Sequence, residues 1–308
     1  MSSKSTKIPK PFLKWAGGKT QLLNDINNHL PIDLSDEYKY FEPFVGGGAV
    51  FFNLVQQGYK FKKVYLGDIN KDLILTYNVI KKEPDVLISI LDAYERNYKY
   101  EDVDNKKLFY TTRVLFNEFD GELDPFEISI KNIFRAAQMI FLNKTCFNGL
   151  YRVNKSGKFN VPFANPKNPL ICYKNNIYEV SDALKNVEFI VGDFLKCEVK
   201  IDNKSFVYLD PPYKPINGNK SFEGYTKDGF DDSDQERLSE FCKRISSEKI
   251  NAKFLLSNSK PKNNYLFDKF YKKDFVMDEV SAKRAINSNG KKRGDVEELL
   301  IYNNYDIQ

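Results

Sequence analysis

Short apolar runs recur along this chain, and several end in an acid. Phe206-Val207-Tyr208-Leu209 leads into Asp210-Pro211-Pro212-Tyr213 and reads as a buried strand. Neither proline can donate to a ladder and each sets its own φ, so the strand stops there. Similar strand-like runs are Tyr38 to Phe44, Val64 to Gly67 with Asp68 at the end, Glu188 to Phe194, Ala252 to Ser257, Val276 to Val280, and Glu297 to Tyr302. Helical spacing lies between them. Leu22, Leu23, Ile26 and Leu30 share one face before Pro31. Ala49 to Gln57 is apolar and closed by Gly58, and Ser233 to Lys249 places Leu238, Phe241, Cys242 and Ile245 together. Strands alternating with helices predict an α/β sheet.

From Lys71 to about Ile171 the pattern changes. Lys71 to Lys81, Asp85 to Tyr98 and Asn105 to Phe119 carry helical spacing. Asp124-Pro125-Phe126-Glu127 combines an N-cap, a first-turn proline and a capping-box acid, predicting a helix that runs on through Ile130, Ile133, Phe134, Ala137, Ile140 and Phe141. The segment reads as a helical insertion. It closes on Cys146 to Phe163, two β-prone arms around a turn at Asn154 to Gly157, which predicts a hairpin exposing Arg152, Asn154, Lys155 and Lys158. A plain basic surface hairpin has this pattern. So does a ribbon that enters the major groove, where arginine pairs with guanine and asparagine with adenine.

Composition narrows the class. The 308 residues are 42% hydrophobic and 29% charged, a profile typical of globular proteins. No apolar run is long enough to span a membrane and no signal-peptide core is present, so a cytoplasmic protein without a membrane partner is expected. Cys146, Cys172, Cys197 and Cys242 lack metal-ligand spacing and are expected to be reduced thiols. The single histidine, His29, argues against a histidine-based triad or a histidine-rich metal site. Net charge is +5, with acid-free basic stretches at Lys4 to Lys19 and Ser281 to Gly294. Each stretch alone reads as a solvated segment. The arm from Met1 to Pro11 reads as loose.

The chemistry concentrates at strand ends. Asp210 and the Pro211 carbonyl are two acceptors that can grip the hydrogens of an exocyclic amine, and Tyr213 offers a face for a planar ring. Pulling on those hydrogens frees an amine lone pair otherwise shared with an aromatic ring. A strand-ending turn is the plain alternative. Gly17-Gly18-Lys19 before a helix suits an anion. Gly46-Gly47-Gly48 follows a strand, and Asp68 comes 20 residues after Gly48, where a carboxylate meets ribose hydroxyls. The dinucleotide fingerprint fails at Phe51, so a nucleoside cofactor without pyrophosphate fits better; S-adenosylmethionine is one that carries a methyl group. Asp193 and Phe194 bracket an adenine in one reading and are a turn and a core residue in the other. The stretch from Lys214 to Phe230 is rich in glycine, asparagine and lysine and is expected to order over a substrate.

Together, Lys14-Trp15-Ala16-Gly17-Gly18-Lys19, Glu42 to Gly48, Asp68-Ile69-Asn70, the Phe147-to-Phe163 hairpin, Asp210-Pro211-Pro212-Tyr213 and the tail around Asn289 to Leu300 resemble the Dam-type, α-group DNA adenine-N6 methyltransferases. The resemblance covers nearly the whole chain. It implies a Rossmann-like S-adenosylmethionine-dependent methyltransferase sheet with an inserted, mainly helical target-recognition domain carrying the hairpin. Residues 1–72 and 173–308 would form the catalytic domain and 73–172 the recognition domain. It further implies double-stranded DNA as substrate, usually at GATC, a monomer or weak dimer, and a possible cognate restriction endonuclease. Asp210, Pro211, Pro212 and Tyr213 would be catalytic. Trp15, Lys19, Phe44, Gly46, Gly48, Asp68, Asp193, Phe194 and Asp210 would line the cofactor. Lys14, Asn148, Leu150, Arg152, Asn154, Pro162, Lys291 and Arg293 would meet DNA, and no metal is expected. Phe147 stands where family members often carry tyrosine. Competing readings are an enzyme with a longer site, an inactive sequence-specific DNA-binding protein, an RNA or protein-glutamine methyltransferase, and a nicotinamide oxidoreductase.

Overall fold

The computed structural model describes residues 8–15, 17–119, 121–212, 230–260, 265–283 and 295–308. Strands β1 (Lys39–Glu42), β2 (Lys63–Asp68), β3 (Val187–Val191), β4 (Ser205–Leu209) and β5 (Lys253–Ser259) lie parallel. β7 (Asp295–Tyr302) runs antiparallel to β5, and β6 (Val276–Lys283) antiparallel to β7. The order across the sheet is β3-β2-β1-β4-β5-β7-β6. Every residue of β4 is buried, as a parallel strand covered on both faces requires. The chain moves outward from β1 through β2 to β3, then returns to the other flank of β1 for β4. The order therefore reverses between β1 and β4, and the carboxyl ends of these two strands open the crevice where such sheets bind ligands.

Side-chain alternation assigns the two faces. Tyr40, Phe206, Tyr208 and Leu255 join one apolar cluster; Phe41, Val207, Leu209 and Leu256 join the other. The first cluster includes residues of α1 (Leu23–Asn28), α2 (Ala49–Gln56), α3 (Lys71–Lys82), α4 (Pro84–Lys99), α5 (Asn105–Asn117), α6 (Ile130–Thr145) and α7 (Lys174–Ala183). The second includes residues of α8 (Asp232–Ser246) and α9 (Tyr265–Phe270). Eight successive residues of α3, Leu73 to Ile80, are buried, so this helix must be covered all round. It packs on β2 and β3 and is covered by α6 and α7. The helical segment thus shares one continuous core with the sheet, and the boundary expected between residues 72 and 73 falls inside α3.

The helix expected at Asp124 starts instead at Ile130, with the Ser129 hydroxyl accepting from the Asn132 N–H. Residues 124–127 form a turn held from elsewhere. The Asp124 carboxylate accepts the Phe126 N–H, Asn132 donates to the Glu127 carbonyl, and Asn78 on α3 donates to that of Pro125. Helix α7 was not anticipated; Ile177, Val180 and Leu184 are its buried stripe. Lys10, placed in the loose arm, is pinned by two backbone hydrogen bonds with the Asn176 side chain. No helix among the described residues is long and apolar enough to cross a membrane.

Candidate active site and nucleic-acid interface

Asp210 follows β4 at the switch point. Lys19 Nζ lies 2.7 Å from its Oδ1, and Ser257 Oγ, from β5, donates to the same oxygen at 3.4 Å. Ser257 also shares a 2.8 Å hydrogen bond with the Tyr208 hydroxyl. Lys19 arrives from the segment before α1 and is only 4% exposed, with Nζ also donating to the Gly17 carbonyl at 3.1 Å. Tyr208, Asp210 and Ser257 therefore form one polar cluster in an apolar setting, which favours hydrogen bonding over solvation.

Glu42 ends β1 beside them. It is buried, accepts the Tyr40 hydroxyl at 2.8 Å, and receives the Phe51 N–H from the first turn of α2. Gly48 occupies the N-cap of α2 and has no side chain to offer, so Glu42 reaches across from the neighbouring strand. Burial, reinforced by the negative charge of Asp210, lifts its carboxyl to about 8, so at neutral pH it is mainly the uncharged acid.

The glycine turn is a close-packed cradle. Gly46 and Gly48 have φ of +48° and +72°. A Cβ on Gly46 would lie 2.8 Å from Trp15 Cδ1, and one on Gly48 would lie 2.6 Å from the Tyr77 hydroxyl. Asp68 ends β2 with Oδ2 accepting the Gly46 N–H at 3.1 Å and Oδ1 accepting that of Asn70 at 2.9 Å. Desolvation raises its carboxyl to about 6 against those two bonds. Each oxygen keeps acceptor capacity, and the residue is half-buried. Backbone bare of side chains, an indole, and a carboxylate with spare lone pairs fit a nucleoside cofactor with a polar tail.

Other expected site residues are placed differently. Phe44 is half-buried, its ring 5.4 Å from Phe194 and 5.9 Å from Phe230. Asp193 caps the Leu195 N–H and pairs with Arg237 at 2.7 Å, while Phe194 is 4% exposed beneath the Arg237 guanidinium. Pro211 is buried and Pro212 half-buried. Tyr213, the stretch from Lys214 to Gly229, Lys291 and Arg293 lie outside the described residues.

The hairpin is irregular. Single bridges join Cys146 to Phe163 and Val153 to Phe159, and the first arm starts with a 3-10 turn at Phe147–Gly149 rather than a strand. Phe159 is held by both polar atoms of Asn117 at the end of α5. Asn148 is exposed in a left-handed conformation at φ +55°, Pro162 is exposed, and Leu150 half-buried. Arg152 donates Nε to Asn160 Oδ1 at 2.7 Å, which aims its guanidinium. Asn154 spends its carbonyl oxygen on the Ser156 and Lys158 N–H groups, so only its amide nitrogen remains for bases. Lys14 is exposed, and its backbone is clamped by both polar atoms of Asn143 on α6. Next to Asn143, Lys144 is pulled down to about 8 by burial and by the charge of Lys14.

Comparison with known proteins decides what such an arrangement belongs to. Residues 15–286 match the family described as D12 class N6 adenine-specific DNA methyltransferase. The chain belongs to this family. It is 49% identical over 298 residues to a Type II methyltransferase, M.MjaIII, of Methanocaldococcus jannaschii, covering 96% of this chain and 99% of the relative. A Type II methyltransferase of Lactococcus lactis subsp. cremoris, M1.LlaDCHI, is 35% identical across 96% of this chain and 95% of its own. The DNA adenine methylase of Escherichia coli K12 is 33% identical, again across 96% and 95%.

Within this adenine-specific methyltransferase, sequence reasoning passed over Glu42, Tyr208 and Ser257 as site residues. Strand alternation held the signal: counting back by two from Asp210 reaches Tyr208, and the β4–β5 register sets Leu255 beside Tyr208 and hence Ser257 beside Asp210.

Proposed function

We propose that this methyltransferase transfers a methyl group from S-adenosylmethionine to N6 of an adenine turned out of duplex DNA. The site is short and of the GATC type, and the enzyme serves a restriction–modification system or acts as a solitary methylase. The observation that carries this is the convergence at the β1–β4 switch point. A carboxylate held by Lys19 and Ser257 stands beside a glycine turn walled by Trp15 and Asp68.

In this reading Asp68 accepts the ribose hydroxyls, and Trp15 with Gly46 and Gly48 surrounds the methionine end. The bound cofactor supplies an electrophilic methyl on positively charged sulfur. Asp210 and the Pro211 carbonyl would accept hydrogen bonds from the two amine hydrogens and aim the nitrogen lone pair, and the one proton that the amine loses on methylation would leave by way of Asp210 to solvent. Lys19 and Ser257 both engage Oδ1, which sets the carboxylate plane before substrate arrives, so little reorganisation is needed at the moment of reaction. Extruding the base costs a few kcal/mol, and stacking on Tyr213 offsets about 1–3 kcal/mol of that. The segment between α3 and α7 reads the sequence through Arg152, Leu150, Asn154 and Pro162, with Asn148 at the vacated space and Lys14, Lys291 and Arg293 on the backbone. The names of the relatives support both a restriction-linked and a solitary role.

The test is methyl incorporation into plasmid DNA, followed by digestion with nucleases that distinguish methylated from unmethylated GATC. Asp210→Ala should abolish incorporation and leave duplex binding intact. Near-normal turnover in that variant refutes the assigned role, and binding without incorporation by the unaltered enzyme favours an inactive DNA-binding protein.

A further inference from the structure

Tyr151 lies on the hairpin between two residues assigned to DNA, yet it faces inward and is 6% exposed. Its ring stacks on the indole of Trp15, centroids 5.6 Å apart and planes 23° from parallel. Its hydroxyl donates to Asp72 Oδ2 at 3.1 Å. Asp72 sits in the first turn of α3 and also receives Arg135 of α6, through Nε at 2.5 Å and Nη2 at 3.1 Å. Arg135 continues to the Phe116 carbonyl at 2.7 Å and lies over the Phe116 ring at 4.2 Å. With side chains 12% and 14% exposed, the Arg135–Asp72 pair is largely shielded from water. The tyrosine is thus tethered by its hydroxyl to two helices and by its ring to Trp15.

Trp15 also meets the glycine turn. A Cβ on Gly47 would lie 3.1 Å from Trp15 Cβ, and one on Gly46 would lie closer still to the ring. Any displacement of the hairpin that moves Tyr151 must therefore be felt at Gly46 and Gly47 through one indole, because packed rings transmit strain rather than absorb it.

We propose that Tyr151 is a positioning residue that couples the two binding events, so that duplex DNA on the hairpin and cofactor on the glycine turn alter each other's affinity through the Trp15–Tyr151 stack. This rests on the function proposed above. Coupling of this kind is reciprocal: the factor by which DNA changes cofactor affinity equals the factor by which cofactor changes DNA affinity.

Trp15 is the only tryptophan in the chain, so its fluorescence reports the contact directly. The experiment titrates S-adenosylhomocysteine, which cannot transfer a methyl group, into the wild type, Tyr151→Phe and Tyr151→Leu. Each is measured with and without a duplex carrying the methylated sequence identified by the digest. In the wild type the duplex should change the apparent Kd about fivefold or more. Tyr151→Phe keeps the stack and loses the tether, and should retain part of that factor. Tyr151→Leu should bring it to within about twofold of unity while each ligand still binds alone. A purely structural role lowers both affinities and leaves their ratio unchanged; that result, or a wild-type ratio of one, overturns the proposal. If Tyr151→Leu fails to fold, an undiminished ratio in Tyr151→Phe does the same. A wild type that binds neither ligand counts against the proposed function instead.

Discussion

Replacing Glu42 by glutamine should change how stability depends on pH, by an amount the structure sets. Burial raises this carboxyl from the ordinary 4.5 to about 8 in the folded chain, and unfolding restores the ordinary value. Below 4.5 both states hold the proton and Glu42 adds no pH dependence. Between 4.5 and about 8 the unfolded state releases the proton while the folded state keeps it, so stability falls by about 1.4 kcal/mol per pH unit. Over that window of about 3.5 units the loss is on the order of 5 kcal/mol, after which both states are ionised and the curve levels. The amide cannot titrate, and its carbonyl oxygen can still accept the Tyr40 hydroxyl and the Phe51 N–H. Glu42→Gln should therefore gain several kcal/mol relative to the wild type between pH about 5 and pH about 9, whatever its standing at the acid end. Asp68, raised to about 6, slopes in the same sense in both proteins and cancels in the difference. Urea unfolding of the two proteins at both pH values measures it. Parallel stability profiles would refute a protonated Glu42.

Three other changes probe separate parts of the site. Gly46→Ala adds a Cβ 2.8 Å from Trp15 Cδ1 at a φ of +48°, straining the backbone by about 1–2 kcal/mol and displacing the indole. Cofactor affinity read by Trp15 fluorescence should fall about tenfold or more, and an unchanged Kd would mean the turn is not the cofactor's seat. Arg135→Ala strands the largely buried Asp72 carboxylate, and should lower unfolding free energy by about 3–5 kcal/mol in urea; a loss under about 1 kcal/mol would mean solvent already screens the pair. Arg152→Ala should cost about 1–3 kcal/mol of discrimination at one base pair, measured as methylation rates on singly substituted duplexes, and unaltered preference would remove Arg152 as a reader.

Much of the sheet was legible because parallel strands covered on both faces are short, mostly apolar runs; those five runs and the two of the antiparallel edge all became strands within a few residues of their expected limits. Side-chain competition was harder to read. At Asp124 a capping signature is present, yet Asn132 and Asn78, eight and 46 residues away, take the local carbonyls and hold a turn. Asn154 has the side chain for adenine, but a tight turn claims its oxygen first. Asp193 remains open to both readings, and its pairing with Arg237, 44 residues on, is a contact that the sequence alone does not show. Glu42 sits in a motif that gives it no legible role, because only the fold shows that its strand neighbours the one leading to Asp210 and that it is almost wholly buried.

The three acids at this edge of the sheet pose an electrostatic problem, since the proposed substrate is a polyanion. Glu42 is mainly uncharged at neutral pH, Asp210 faces the ammonium of Lys19, and Asp68 accepts one backbone N–H on each oxygen. The lysines Lys14, Lys155 and Lys158 stand exposed on the hairpin side, with Lys144 behind Lys14. Burial and the charge of Lys14 have drawn the Lys144 ammonium down to about 8, and an approaching phosphate opposes both effects by supplying a negative partner. In the proposed function the acids at the strand ends are thus paired or uncharged, while the exposed lysines supply the positive surface that a DNA backbone would meet. Exchanging the sign of Lys19 would leave two carboxylates facing each other in the crevice, and exchanging that of Lys14 would set a carboxylate where the proposed function expects the DNA backbone.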